Sequence, residues 1–459
     1  MRSQGGNRMK RREFIQTSTA AAVTLGFGNF TFLQAQTKGA NEKIVLALIG
    51  CGGRGISTIV NCCKINTNVE IKTLCDVNRT KLAKAADTVK KTFNYTPTTT
   101  EEMLTVFDDK DIDAAWIATV DHWHTLAAVR ACLAGKDVYV EKNPTHFISE
   151  GRKLIAAAEK NKRVVEVGCQ NRSAPYNMAA RDYIQSGKLG KIVTVKVYFM
   201  LGGGKGGKAV EAPVPAWLDW DRWLGPAPLR PFSPSIVSEN GRGGWQNFWS
   251  FSGGKLSDEA SHTLDLARMV LGDPPHPKAV YCWGGNHALG GESETPEYQE
   301  ITYDFGNFAM TCSGGPSLGY MTKTPSDIRF DVTKFPAWRT NSSRIEIYGT
   351  KGLMYLGRHG GGWQVVGKDD KIVAEHGGIF PDDDHQKNFI ESLRGRKKPN
   401  GDAENGHRSA TLVHLGNISY RVGCKQLLFD EKTERFTNND AANALAEGTY
   451  RKGYEFPVI

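Results

Sequence analysis

No two of the nine cysteines are spaced C-x-x-C, and none is joined by histidines at zinc-finger spacing. An odd, scattered set (Cys51, Cys62, Cys63, Cys75, Cys132, Cys169, Cys282, Cys312, Cys424) predicts neither a disulfide framework nor a structural metal site. Cys75 ends the apolar run from Ile71 and reads as a small buried hydrophobe. No G-X-Y period accompanies the 50 glycines, which excludes collagen even though glycine exceeds its average of about 7%. The weakly apolar run from Thr17 to Leu33 is broken by Thr, Ser, Gly and Asn and falls short of the ~20 apolar residues of a spanning helix. Positive charge is also thin once it is located. The formal net charge is +9, but residues 1–39 hold Arg2, Arg8, Lys10, Arg11, Arg12 and Lys38 against one acid, Glu13. What remains is too dilute for a basic nucleic-acid footprint, so no nucleic-acid partner is expected. The chain does have ordinary globular material: 459 residues, 40% hydrophobic and 23% charged, enough for two or three domains.

The segment Lys10-Arg11-Arg12-Glu13-Phe14-Ile15-Gln16 precedes that short apolar run, and small residues lie near Ala35. The arrangement resembles a twin-arginine export signal over residues 1–36 and implies the twin-arginine machinery as partner and a periplasmic destination. A disordered basic tail or a membrane anchor is the alternative. Export of an already folded protein would leave thiols free in an oxidising compartment, and suits a chain that binds its cofactor before leaving.

Ile44 to Ile49 is a continuous apolar run, as expected for a strand buried on both faces. It leads into Gly50-Cys51-Gly52-Gly53-Arg54-Gly55, a G-x-G-x-x-G pattern, and then a helix over 56–64. Glycines there permit a tight turn and close approach of backbone N–H groups to a pyrophosphate. A second strand over 69–75 ends at Asp76, where a carboxylate can accept from ribose hydroxyls and would repel a 2′-phosphate. NAD is therefore favoured over NADP, with Arg79 as a countervailing charge. Asp76 also reads as a cap for a helix over 79–91. Strands over 112–118, 137–140 and 164–167 alternate with helices over 126–134 and 150–161. The pattern predicts a doubly wound parallel sheet, a Rossmann domain over 42–168. Ligands bind beyond the carboxyl ends of such strands, where Val120-Asp121-His122-Trp123-His124 and Glu141-Lys142-Asn143-Pro144 fall.

These features together resemble the glucose-fructose oxidoreductase / inositol dehydrogenase (Gfo/Idh/MocA) family, over nearly all of the chain after residue 42. The resemblance implies a lysine beside the nicotinamide and the substrate hydroxyl, matched by Lys142, and a histidine near the nicotinamide ribose, matched by His124. The family's Glu-Lys-Pro is altered here, with Asn143 in place of the proline and Pro144 one position later. The family often forms dimers or tetramers through sheet faces, so a homo-oligomer is expected. The candidate cofactor-binding residues are Gly50, Gly52, Gly53, Arg54, Gly55, Asp76, Arg79, Asp121, Trp123, His124, Glu141, Lys142 and Gln170. The candidate substrate-binding residues are Lys142, Asn171, Arg172, Trp245, Asp258 and His262.

After about Gly168, strand candidates over 192–199, 279–283, 300–305, 308–313 and 344–349 lack regular helices between them. They predict an α+β second domain over 169–459 with a mostly antiparallel open sheet. Stretches 201–207 and 241–254 are rich in glycine. Trp217, Trp220, Trp223, Trp245 and Trp249 serve either sugar stacking or packing. In Lys255 to Asp265, helical spacing puts Asp258, His262 and Asp265 on one face and Ala260, Leu264, Ala267 and Leu271 on the other. A histidine beside a carboxylate suits proton transfer near neutral pH; a solvated polar face is the bland alternative. In the family such a D-x-x-x-H-x-x-D segment supplies the catalytic acid and histidine, which implies Lys142, Asp258 and His262 as catalytic residues. Helices are also expected from Asp384 and over 403–423, with His385 either near the cleft or at a helix terminus.

The expected activity is an exported, NAD-dependent oxidoreductase. It would move hydride between nicotinamide and a secondary hydroxyl of a sugar or glycoside, with His262 as base oriented by Asp258 and with a retained, recycled cofactor. C3 oxidation to a 3-ketoglycoside is one form. Two alternatives differ in class: a glycosidase or lyase working through a transient keto sugar, and a non-catalytic sugar- or nucleotide-binding protein.

Overall fold

A computed structural model describes residues 42–202 and 208–459. The expected export signal and most of the 201–207 stretch lie outside the described residues. The first sheet is built from β1 (Ile44–Ile49), β2 (Val69–Cys75), β3 (Thr98–Thr100), β4 (Ala114–Ile117), β5 (Asp137–Val140) and β6 (Val165–Val167). All pairs are parallel, in the order β3-β2-β1-β4-β5-β6. Strands buried on both faces need apolar side chains throughout, and β4 and β5 are buried at every position. The order reverses between β1 and β4, and that reversal opens a crevice at the carboxyl ends of the strands.

Three elements here differ from expectation. The first helix begins at Gly53, so Arg54 and Gly55 belong to it. The helix expected from residue 126 begins at Asp121, so Asp121 to His124 form a first helical turn rather than a loop. β3 is short and threonine-only, a pattern with no apolar signal to mark it.

The second sheet has ten strands: β7 (Ile192–Gly202), β8 (Ala279–Gly285), β9 (Tyr298–Asp304), β10 (Ala309–Pro316), β11 (Arg344–Gly349), β12 (Leu353–Gly357), β13 (Trp363–Val366), β14 (Ile372–His376), β15 (Leu427–Asp430) and β16 (Arg435–Phe436). Their order is β14-β13-β12-β11-β7-β10-β9-β8-β15-β16. Only β7 and β10 pair in parallel, so the sheet is mostly antiparallel. One face is apolar and covered by helices Ser261–Val270 and Ala403–Arg421. The other is open, as the alternation in β8 shows: Val280 and Cys282 are buried while Tyr281 and Trp283 are exposed. Helix Asp382–Gly395 returns to the first sheet, where Phe389 meets Trp116 and Tyr139 edge-on. Among the described residues, no helix is long and apolar enough to cross a membrane.

Candidate functional site

A cavity of about 710 Å³ opens at the carboxyl ends of the first sheet and is closed by residues from the second half of the chain. The glycine turn forms its floor. Gly50 sits at φ +95°, and a Cβ there would lie 2.5 Å from the Ala118 carbonyl oxygen. A Cβ on Gly55 would lie 2.3 Å from the Gly50 oxygen, so the turn closes against the helix only because both lack side chains. Gly52 and Gly53 instead face open space. The helix starting at Gly53 has no side-chain cap and no acid in its first turn, leaving its N–H groups free for a pyrophosphate. Asp76 borders the same space. Its Oδ2 accepts from the Cys51 N–H (2.7 Å) and its Oδ1 from the Asn78 N–H (2.8 Å), leaving lone pairs on both oxygens for ribose hydroxyls. Burial raises its pKa, and the two backbone donors oppose that shift. These residues fit a dinucleotide.

At the inner end stand Lys142, Asp258 and His262. Lys142 follows β5; its Nζ donates to the Asp258 carbonyl (2.7 Å) and carboxylate (3.1 Å). The Lys142–Asn143 peptide is cis, and the Asn143 amide donates to the Ser257 carbonyl (2.8 Å). Asp258 lies in a π-helical turn, Leu256–Ala260, that runs directly into helix Ser261–Val270. Its carboxylate also accepts from Arg242 (2.6 Å), with Lys255 at 3.7 Å. Although burial opposes it, the neighbouring Lys142, Arg242 and Lys255 charges hold the Asp258 carboxyl well below the usual range. Asp258 therefore orients the lysine, where the sequence suggested that it orients His262. His262 is 7% exposed, and burial together with the Arg358 and Lys142 charges lowers its pKa far below the ordinary histidine value.

Of the remaining candidates, Gly50, Gly52, Gly53, Arg54, Gly55, Asp76, Asp121, Trp123, His124, Glu141, Gln170 and Trp245 all line this cavity. Several are already engaged. Arg54 pairs with Glu141 (3.0 Å) and Asp382 (3.1 Å). The His124 ring faces the Asn143 carbonyl (2.7 Å) and the Thr119 carbonyl (3.2 Å). Trp123 donates to the Arg222 and Trp223 carbonyls, and Asp121 accepts from Ser252 (2.6 Å).

Three candidates lie elsewhere. Arg79 pairs with Glu101 (2.8 Å), donates to the Ala216 carbonyl and does not line the cavity. Asn171 is buried and accepts from the Asn177 amide, and Arg172 is buried between Asp265 (2.6 Å) and Asp273 (2.8 Å). Neither reaches the cavity, so the expected substrate contacts are corrected. Asp265 departs from the expected acid-histidine-acid face for the same reason. It lies one turn deeper, where the helix packs on Pro175–Gln185 and Ala403–Arg421, and accepts from Arg172 and the Ser409 hydroxyl (2.7 Å). His385 is buried beneath β6; its Nε2 donates to the Val167 carbonyl, and burial pushes its pKa down to about 4. Trp220 and Trp223 stack on one another in a packed aromatic cluster, although Trp223 and Trp245 also reach the cavity wall.

The cavity wall also holds Lys81, Asn240, Arg242, Arg358 and Phe380, which the sequence reading missed. Arg242 lies in the glycine-rich stretch already marked, and Arg358 precedes the run Gly360-Gly361-Gly362; no residue-type pattern singles out the others. Away from the cavity, His276 and His407 both face Glu434 Oε1 (3.5 and 2.9 Å), but the same oxygen takes the Arg152 guanidinium, which makes this an ion-pair cluster.

Comparison with known proteins bears on both halves. Residues 44–169 match the Gfo/Idh/MocA oxidoreductase family's NAD-binding Rossmann fold, and residues 181–286 and 353–456 match its C-terminal alpha/beta domain. Levoglucosan dehydrogenase of Pseudarthrobacter phenanthrenivorans is 29% identical over 202 residues, 42% of this chain and 43% of that protein. A glycosyl hydrolase family 109 protein of Stenotrophomonas maltophilia is 32% identical over 139 residues, 29% of each. The chain thus spans less than half the length of these two curated relatives. The solved structure of levoglucosan dehydrogenase with NADH and levoglucosan superposes at a TM-score of 0.61 and 16% identity, covering 84% of this chain and 98% of that one, which shows a shared fold. With both halves matched, the chain belongs to the Gfo/Idh/MocA oxidoreductase family and carries its NAD-binding Rossmann domain.

Proposed function

We propose that the protein oxidises a secondary hydroxyl of a sugar or glycoside. The observation that carries this reading is the convergence of Lys142, Asp258 and His262 on the cavity that also holds the glycine turn and Asp76. When bound, NAD supplies the hydride acceptor. His262, kept neutral by burial and adjacent positive charge, takes the hydroxyl proton. Lys142, held by the Asp258 carbonyl and carboxylate, donates to the reacting oxygen and steadies its charge. Glu141 fixes Arg54 at the cavity edge. The resemblance of Lys10 to Gln16 to an export signal supports a periplasmic enzyme that retains and recycles its nucleotide; purified protein without bound nucleotide would count against that part.

The likeness to glycosyl hydrolase family 109 proteins favours a second reading, glycoside cleavage through a transient keto sugar. Products separate the two: a ketosugar with reduced nucleotide, or a cleaved glycoside with no net redox change. His262→Ala should lower turnover by about 10²–10⁴-fold while nucleotide binding persists. Unchanged turnover would overturn the assignment of the base.

A further inference from the structure

We infer that Arg358 builds an anion subsite beside His262, and that the preferred substrate carries a carboxylate or phosphate on its sugar. The inference rests on the sugar-oxidising reading above.

Arg358 follows β12 in a turn that admits little freedom. Gly360, Gly361 and Gly362 have φ of +79°, +79° and +64°, and a Cβ on any of them would come within 3 Å of a neighbouring residue. The Arg358 N–H donates to the Ser343 carbonyl (3.2 Å), and the following His359 ring meets the Ser343 hydroxyl (2.8 Å). The Arg358 backbone and the neighbouring ring are thus both tied to Ser343. Its side chain is 10% exposed, and it lines the same cavity as Lys142, Asp258 and His262.

Its contacts leave it incompletely satisfied. Nε has no hydrogen-bond partner, and the ion-pair partner, Glu259 Oε2, stands 3.6 Å from a terminal nitrogen, beyond hydrogen-bond length. The remaining side-chain contact is with His359 Nε2. Buried donors are ordinarily paired, and a buried guanidinium without a close anion is costly. The facing carboxylate oxygen, Glu259 Oε2, is itself without a hydrogen-bond partner, and the acids around it are shared. Glu259 is shared with Lys323 (3.4 Å), and Asp258 is shared by Lys142, Arg242 and Lys255. Two carboxylates therefore serve five cations. Over the residues that line the cavity, seven Lys or Arg stand against five Asp or Glu, a small positive excess. Arg358 is also the strongest charge acting on the His262 ring. A guanidinium in the cavity wall matches a carboxylate or phosphate in bidentate fashion, whereas a neutral hydroxyl would leave Glu259, at 3.6 Å, as its anion.

The test uses the NAD-loaded protein and matched sugars: D-glucuronate against D-glucose, D-galacturonate against D-galactose, and D-glucose 6-phosphate as the phosphate arm. Nucleotide absorbance gives kcat and KM, and calorimetry gives equilibrium binding of each sugar. Wild type should favour an acidic sugar over its neutral partner at least tenfold in kcat/KM. Arg358→Gln should lower that ratio at least tenfold, chiefly through KM, while Arg358→Lys retains most of it. A phosphate preference that disappears in Arg358→Gln also supports the subsite and names phosphate as the group. Equal use of acidic and neutral sugars by wild type, or an unchanged ratio in Arg358→Gln, would overturn it. Should Arg358→Gln fail to fold, wild-type calorimetry decides, and no tighter binding of any acidic sugar sinks the proposal. Oxidation of neutral sugars without acid preference removes only this inference. If no sugar reduces nucleotide, the oxidoreductase reading falls, and the calorimetry still reports on the subsite.

Discussion

At the scale of single residues, His262 and Arg172 show how burial changes the meaning of a side chain. Burial, then Arg358 and Lys142, lower the His262 pKa, so its ring stays neutral as pH falls through the ordinary histidine value of about 6.5. Neutral imidazole is the form that accepts a proton. The kcat/KM for oxidation should therefore remain level from pH 8 to below 6, and an acid limb at or above 6.5 in the pH profile would contradict the structure. Arg172 lies two residues from Gln170, which lines the cavity, yet it points into the core. In the short helical turn Gln170–Ser173, neighbours face different sides, and adjacency in sequence does not say which. Arg172→Ala should leave Asp265 as an uncompensated buried carboxylate and cost about 3–5 kcal/mol in denaturant unfolding. A large rise in KM without loss of stability would restore Arg172 to the substrate.

At the scale of elements, β1 and the turn after it were legible because their signals are local. An apolar run and obligatory glycines need no knowledge of distant residues. Gly50→Ala places a Cβ against the Ala118 carbonyl at a left-handed backbone position. It should destabilise the fold by more than about 1 kcal/mol and weaken NAD binding, as read by thermal unfolding and nucleotide titration. The segment 256–265 was legible in part. Its residues face a cleft at Asp258 and His262, but the π turn and the packing of the following helix send Asp265 inward. A 100° periodicity cannot show where a helix changes type. The polar and aromatic residues of the first turn at Asp121 obscure helical periodicity; in the fold all of helix Asp121–Leu133 but Arg130 and Leu133 is buried, which removes any amphipathic signal.

At the scale of the whole molecule, the cysteines report on compactness. All nine are free, and only Cys424 is not buried. Burial raises the thiols generally, Cys63 and Cys282 to about 12, so they stay protonated and unreactive. Labelling of the native protein with a disulfide reagent should modify one thiol at most on the fast timescale, and all nine after denaturation. Fast reaction of several thiols in the native state would mean that the two sheets open far more readily than the packing implies. The same packing brings helix Asp382–Gly395, from near the end of the chain, onto the first sheet. There Asp382 holds Arg54 at the cavity edge from 328 residues away.

The sequence by itself determined the parallel sheet and the glycine turn and made Asp76, Asp258 and His262 candidates, with Lys142 added by the family resemblance. Strand pattern, glycine geometry and helical spacing are properties of neighbouring residues. Only the tertiary structure decided that Asp258 serves Lys142 and Arg242, that Arg79, Asn171 and Arg172 stand outside the cavity, and that Arg358 stands inside it. Those outcomes depend on contacts between residues 16 to more than 300 positions apart, and on which face of a turn is turned inward. Local pattern carries no information about either.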